Sequence, residues 1–76
     1  MKTIAGALED LAYIKRYRHP ADDRNRDFGE AACRQWESMI LSDEKETGEL
    51  GETSRIMVER TMRAFNRKAR IKTIEV

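Results

Sequence analysis

Seventy-six residues, 39% hydrophobic and 38% charged, make one domain (1–76) with a thin core under a dense charged surface. That is too small to enclose a large active-site cavity and suits a helical bundle or an oligomer better than a sheet sandwich. The single cysteine, Cys33, has no partner for an internal disulfide, so a secreted disulfide framework is excluded and a reducing cytoplasm is the expected setting. The net charge of +1 conceals a segregation: four Lys/Arg stand against two Asp/Glu in residues 1–19, four against ten in 20–52, and seven against two in 53–76.

The first element is a helix over residues 4–18. Thr3 offers an N-cap, and Ile4, Ala7, Leu8, Leu11 and Ile14 follow the i, i+3, i+4, i+7 spacing of one buried face. His19 precedes Pro20, and a residue before proline is pushed out of the α region, which ends the helix there. The stretch MKTIAGALEDLAYIK has neither a basic start nor an apolar middle with a cleavage site, and no apolar run approaches a membrane span.

A second helix has two candidate starts. Pro20 can occupy a first turn with Asp22 and Asp23 at the positive end of the dipole. The favoured start is Asp27, capping a helix over 27–47 with Glu30 reaching back in a capping box, because no large apolar side chain precedes Phe28. Phe28, Ala31, Ala32, Trp36, Met39 and Ile40 then form a stripe, and Gly48 offers a left-handed C-cap. Cys33 falls within this periodic stretch and reads as a small buried hydrophobe.

After the turn GELGE, Thr53 or Ser54 caps a third helix over 54–70. At 100° per residue, Val58, Met62, Phe65 and Ala69 fall within about 60° of one another and define its core face. Arg60, Arg63, Arg67 and Arg70 fall within about 80°, nearly opposite. The tail IKTIEV alternates apolar and polar residues and reads as a short extended segment. The predicted fold is all-α: a small antiparallel three-helix arrangement with a short extended C-terminal tail. Its predicted core is Leu8, Leu11, Phe28, Trp36, Met39, Val58, Met62 and Phe65.

Chemistry is sparse. One histidine and one cysteine make no zinc-ligand set. The carboxylates Asp43, Glu44, Glu46, Glu49 and Glu52 lack calcium-loop spacing, and Gly48 and Gly51 lack the remaining residues of a phosphate loop. No enzymatic activity, cofactor or metal is expected, and Asp43–Glu52 reads as a solvated helix end and loop. The arginine stripe reads either as a solvated face, as most charged helical faces are, or as the one surface that asks for a partner. Arginine outnumbers lysine ten to five, and its planar fork suits bidentate contact with carboxylates or phosphates. Only Glu59 lies close enough along the helix to offset Arg60 and Arg63, and none serves Arg67 or Arg70.

Two partners fit that stripe. One is an acidic protein surface, including a second copy whose 43–52 segment supplies the carboxylates. The other is nucleic acid, with phosphates along the same helix and Asn66, Lys68 and Arg55 nearby. A sequence pI near 7.9 and the acidic middle weigh against unaided duplex binding, and the aromatics do not interleave with the arginines as a single-strand platform needs. Tyr13 and Tyr17 with Lys15, Arg16 and Arg18 come closest to one. The expected function is therefore a non-enzymatic regulatory or binding module acting through Arg60, Arg63, Asn66, Arg67 and Arg70 on an acidic protein partner. Apolar residues that three helices struggle to cover (Tyr13, Trp36, Leu41, Met57 and Ile74) point to a homodimer. A tiny, charge-segregated chain of this kind is associated with accessory factors of phages, plasmids or bacterial operons.

Overall fold

In the computed structural model the backbone is described for residues 3–75 and the side chains for residues 3–68. Three helices pack each against the other two: α1 (Ile4–Tyr17), α2 (Glu30–Glu46) and α3 (Glu52–Glu75), with a single 3₁₀ turn at Pro20–Asp22 between the first pair. The first helix starts and stops where sequence chemistry places it. The Thr3 hydroxyl accepts from the Gly6 N–H at 3.0 Å, and Arg18 turns extended ahead of His19–Pro20. His19 is exposed and structural, its Nδ1 accepting from the Ala21 N–H at 3.0 Å to cap the 3₁₀ turn.

The second helix departs from expectation. It starts at Glu30 rather than Asp27, with Gly29 as N-cap and no side-chain cap bond. Asn25 takes the capping role one turn earlier: its Oδ1 accepts from the Asp27 N–H at 2.8 Å and the Phe28 N–H at 3.1 Å. That Asx-type turn competes with helix for the same backbone donors, so residues 26–28 stay in turns. Glu30, expected to reach back to Asp27, pairs forward with Arg34 at 2.5 Å instead.

The third helix is longer than expected at both ends. At its start the cap comes from another helix. The Asp43 carboxylate on α2 accepts from the Ser54 hydroxyl and from the Gly51 N–H, the latter at 2.8 Å, and so holds the first turn of α3. At its end the helix runs to Glu75, so residues 71–75, read from alternation as extended, are helical. An isolated strand has no neighbour to take its backbone hydrogen bonds, whereas continuing an existing helix satisfies them one residue at a time. Val76 and the side chain of Ile74 lie outside the described residues.

The core consists of Ala7, Leu11 and Ile14 from α1, Cys33 and Ile40 from α2, Val58 and Phe65 from α3, and Phe28 from the connection. Leu8, Trp36 and Met62 pack against it only partly buried, and Met39 is also half-exposed. Phe28 and Phe65 meet edge to face at 5.5 Å, and the Lys68 ammonium sits 5.7 Å from the Phe28 ring while pairing with the buried carboxylate of Asp22. These contacts tie the later half of α3 to the α1–α2 connection. Cys33 is fully buried, donates to the Phe28 carbonyl at 3.3 Å, and burial pushes its thiol pKa up, which leaves it an inert core residue.

Truncating Phe65, 8% exposed, to alanine removes the hub of that tie and should cost about 3–5 kcal/mol, most of the stability of a domain this size. Thermal denaturation checks it, and a variant that melts with the parent would place Phe65 outside the core. A second expectation follows from the cap. Hydrogen bonds from Ser54 and then Gly51 hold the Asp43 pKa below its usual 3.8. The charged form is therefore favoured by folding, and its stabilisation is complete above pH 3.8 and lost as pH falls through the lower folded value. Asp43→Asn should lower the melting temperature at neutral pH and flatten the decline on the acid side; an unchanged profile would deny the cap any energetic role.

Candidate functional site

The α3 arginines owe their exposure to the phase of the helix. Val58, Phe65 and the polar pair Ser54 and Thr61 are buried, while Arg60, Arg63, Asn66 and Arg67 face outward. Arg70 lies on the same arc by helical phase, and its side chain is outside those described. Ile56 falls on the arginine side by helical phase and is 40% exposed.

What the stripe faces is a groove of about 610 Å³ along one flank of α3. Met57, Thr61 and Ala64 line it from α3, Trp36 lines it from α2, and Arg26 and Asp27 come from the turn before α2. Arg60, Arg63 and Arg67 complete the lining. Three of the four described residues expected in the site are thus brought together. Asn66, which projects about 60° from Arg63 and away from Met57 and Thr61, does not line it.

Charge balance in the groove is set by a pair outside it. Arg55 engages both oxygens of Glu59, at 3.3 and 3.2 Å, and lies 3.9 Å from Glu52. Glu59 was the one carboxylate near Arg60 and Arg63 in sequence, and this pair removes it from them. Among the described residues no carboxylate comes within ion-pair distance of Arg26, Arg60, Arg63 or Arg67. Asp27 shares the lining without pairing. The Trp36 indole Nε1 is shielded from solvent and has no hydrogen-bond partner, a donor whose desolvation goes uncompensated at a cost of about 1–3 kcal/mol in typical proteins.

Arg26, Asp27, Trp36, Met57, Thr61 and Ala64 are the lining residues that the stripe alone did not reveal. A signal for part of this exists: Met57, Thr61 and Ala64 stand at i, i+4 and i+7, on the flank between the core and arginine faces. No sequence periodicity places Arg26 there, because the Asn25 turn does so.

The rival aromatic patch is already engaged. Tyr13 and Tyr17 lie 4.8 Å apart, Tyr13 packs edge-on against Phe65 at 5.8 Å, and Arg16 sits 5.6 Å over Tyr17. Lys15 pairs with Glu37 at 2.7 Å and Arg18 with Asp23 at 3.3 Å. A smaller cavity of about 280 Å³ beside Pro20 contains Lys68 and the buried Asp22 with which it pairs. Among the described residues no group of three or more His, Cys, Asp or Glu is arranged to hold a metal ion, and no helix is long and apolar enough to cross a membrane.

The fold and groove define a class: a small three-helix protein with an arginine-lined cleft over an aromatic and thioether floor. Comparison with protein-family models, with curated proteins and with solved structures finds no match for this chain.

If the arginines serve a ligand rather than the fold, neutralising them should not destabilise the protein. Like charges at i, i+4 on a helix cost about 0.2–0.5 kcal/mol per pair, and Arg63 and Arg67 form such a pair. Replacing Arg60, Arg63 and Arg67 together by Gln should leave the melting temperature equal to or slightly above the parent's at low salt. A clear drop in a thermal melt would show that these side chains hold the fold.

Proposed function

We propose that this chain is a non-enzymatic binding module that takes an acidic segment of a protein partner into the groove between α3 and the turn preceding α2. The observation that carries the reading is the convergence of four unpaired guanidiniums, from two separate parts of the chain, on one groove floored by Trp36 and Met57. Guanidinium forks hold carboxylates bidentately. The lining offers an aromatic and a thioether surface for an apolar side chain beside those carboxylates. Arginine, tryptophan and methionine together in one groove are the residue types enriched at protein-recognition surfaces. A regulatory role, in which the module recruits or blocks its partner, fits a domain of this size.

Nucleic acid is the competing occupant of the same arginines. The Asp27 carboxylate within the lining opposes a polyanion, and no second aromatic joins Trp36 in the lining as a stacking platform requires.

Trp36 is the single tryptophan, so its fluorescence reports occupancy of the groove. Titration with a ten-residue peptide of alternating Glu and Leu should give a saturable change, while a single-stranded or duplex oligonucleotide of equal charge should bind more weakly. Arg63→Gln should cost about 2 kcal/mol or more of peptide affinity if it sits at the centre of the contact, and Arg63→Lys should lose a substantial part of that despite its charge. Tighter oligonucleotide binding, with a log-log salt slope that falls by about one per arginine removed, would replace the protein partner by nucleic acid. No response to either probe would leave the arginines a solvated face.

A further inference from the structure

We infer that a second copy of this chain occupies the groove, inserting the acidic turn between α2 and α3; the inference rests on the acidic-partner reading above and names the partner. The turn is preformed. Gly48 takes the left-handed conformation at φ 75°, and its N–H donates to the carbonyls of Asp43 and Glu44 at 3.1 and 3.0 Å. The Thr47 hydroxyl accepts from the Glu49 N–H at 3.2 Å and lies within 3.1 Å of the Asp43 and Glu49 carbonyls. The Asp43 carboxylate locks the far side through Gly51 and Ser54. Glu44, Glu46, Glu49 and Glu52 are all exposed on this framework, so a convex, rigid, acidic element is presented with little ordering left to do on binding.

Its complement is the concave basic groove, and the fold keeps the two apart within one molecule. Arg60 and Arg67 stand eight and fifteen residues beyond Glu52 on a single straight element, about 12 and 22 Å along the axis. Those separations exceed a Debye length of about 8–10 Å at physiological salt, so a chain's own turn does not neutralise its own groove. Between copies the same groups can meet directly. The groove brings four arginines and Asp27; the turn brings its glutamates and Lys45. The joined charges nearly balance, and the contact is carried by those charges, because Leu50 beside the glutamates packs against its own core. Groove and turn differ, so two copies that insert reciprocally form an isologous pair, and copies that insert one way only form a heterologous, head-to-tail contact.

Charge exchange tests it. One variant reverses the groove (Arg60→Glu, Arg63→Glu, Arg67→Glu) and another reverses the turn (Glu44→Lys, Glu46→Lys, Glu49→Lys). All six positions are exposed, circular dichroism checks that both fold, and the single reversals Arg63→Glu and Glu46→Lys serve if either triple variant does not. Sedimentation of the parent over a hundredfold concentration range at low salt should show mass rising above the monomer and falling back in 0.5 M salt. Each variant alone should associate at least tenfold more weakly, and an equimolar mixture should recover association, because each groove then meets a turn of opposite sign. A parent that stays monomeric, a variant that associates like the parent, or a mixture that does not recover would overturn the inference. The Glu–Leu peptide separates the two levels: a monomeric parent whose Trp36 still responds to the peptide keeps its acidic-partner groove and loses only self-association, whereas a monomeric parent with no response loses both.

Discussion

At Gly29 the backbone passes close to itself, and the connection between α1 and α2 depends on that approach. A Cβ built there would lie 2.3 Å from the Asn25 carbonyl oxygen and 2.6 Å from that of Asp23, distances no side chain tolerates. Only hydrogen occupies the space. Gly29 N–H donates to Asn25 O at 2.9 Å and Glu30 N–H to Asp23 O at 3.0 Å, so the segment 23–29 is wound tightly onto the first turn of α2. That winding buries Phe28 against Phe65 and brings Arg26 and Asp27 to the groove beside α3. One close approach thus contributes both to the core and to the part of the site that does not come from α3.

The helices themselves were legible because their determinants are local. Thr3, the His19–Pro20 step and Gly48 each act within a few residues of their own position, and the apolar periodicity of α1 and α3 selects Leu11, Val58 and Phe65 for the core. The start of α2 was not legible: the favoured Asp27–Glu30 capping box gives way to the Asn25 turn, which takes the same backbone donors. Backbone crowding at Gly29 settles the matter, and crowding is a property of the folded chain. The start of α3 failed for a related reason. Its cap is Asp43, eight residues before Gly51 and on another helix, so a search for a capping residue next to the helix finds only Thr53 and Ser54. Ser54 does take part, but as a donor to Asp43.

The arginine row shows how far helical phase alone can reach. Phase places Arg60, Arg63 and Arg67 on one arc, and their shared exposure follows. It does not reveal that Arg55 takes Glu59 from them, nor that their neighbours toward Met57 and Thr61 line a cleft rather than an open surface. Trp36 is the instructive residue. Sequence periodicity counts it as core, and it does pack on the core; the indole also reaches the groove, so one side chain belongs to the packing and to the site.

An unneutralised cationic row on a helix opposes folding, and the stability of α3 has to come from its other faces. Val58 and Phe65 supply apolar burial, Asp43 fixes the first turn from α2, and Lys68 reaches the buried Asp22 carboxylate while lying against Phe28. Pairing with a buried carboxylate holds Lys68 to the fold in a way the neighbouring arginines are not held. Within one turn of the same helix, Lys68 is a cation committed to structure and Arg67 a cation left without a partner. That contrast, between two basic residues adjacent in sequence, is the physical reason to look for the partner of Arg67 outside its own chain.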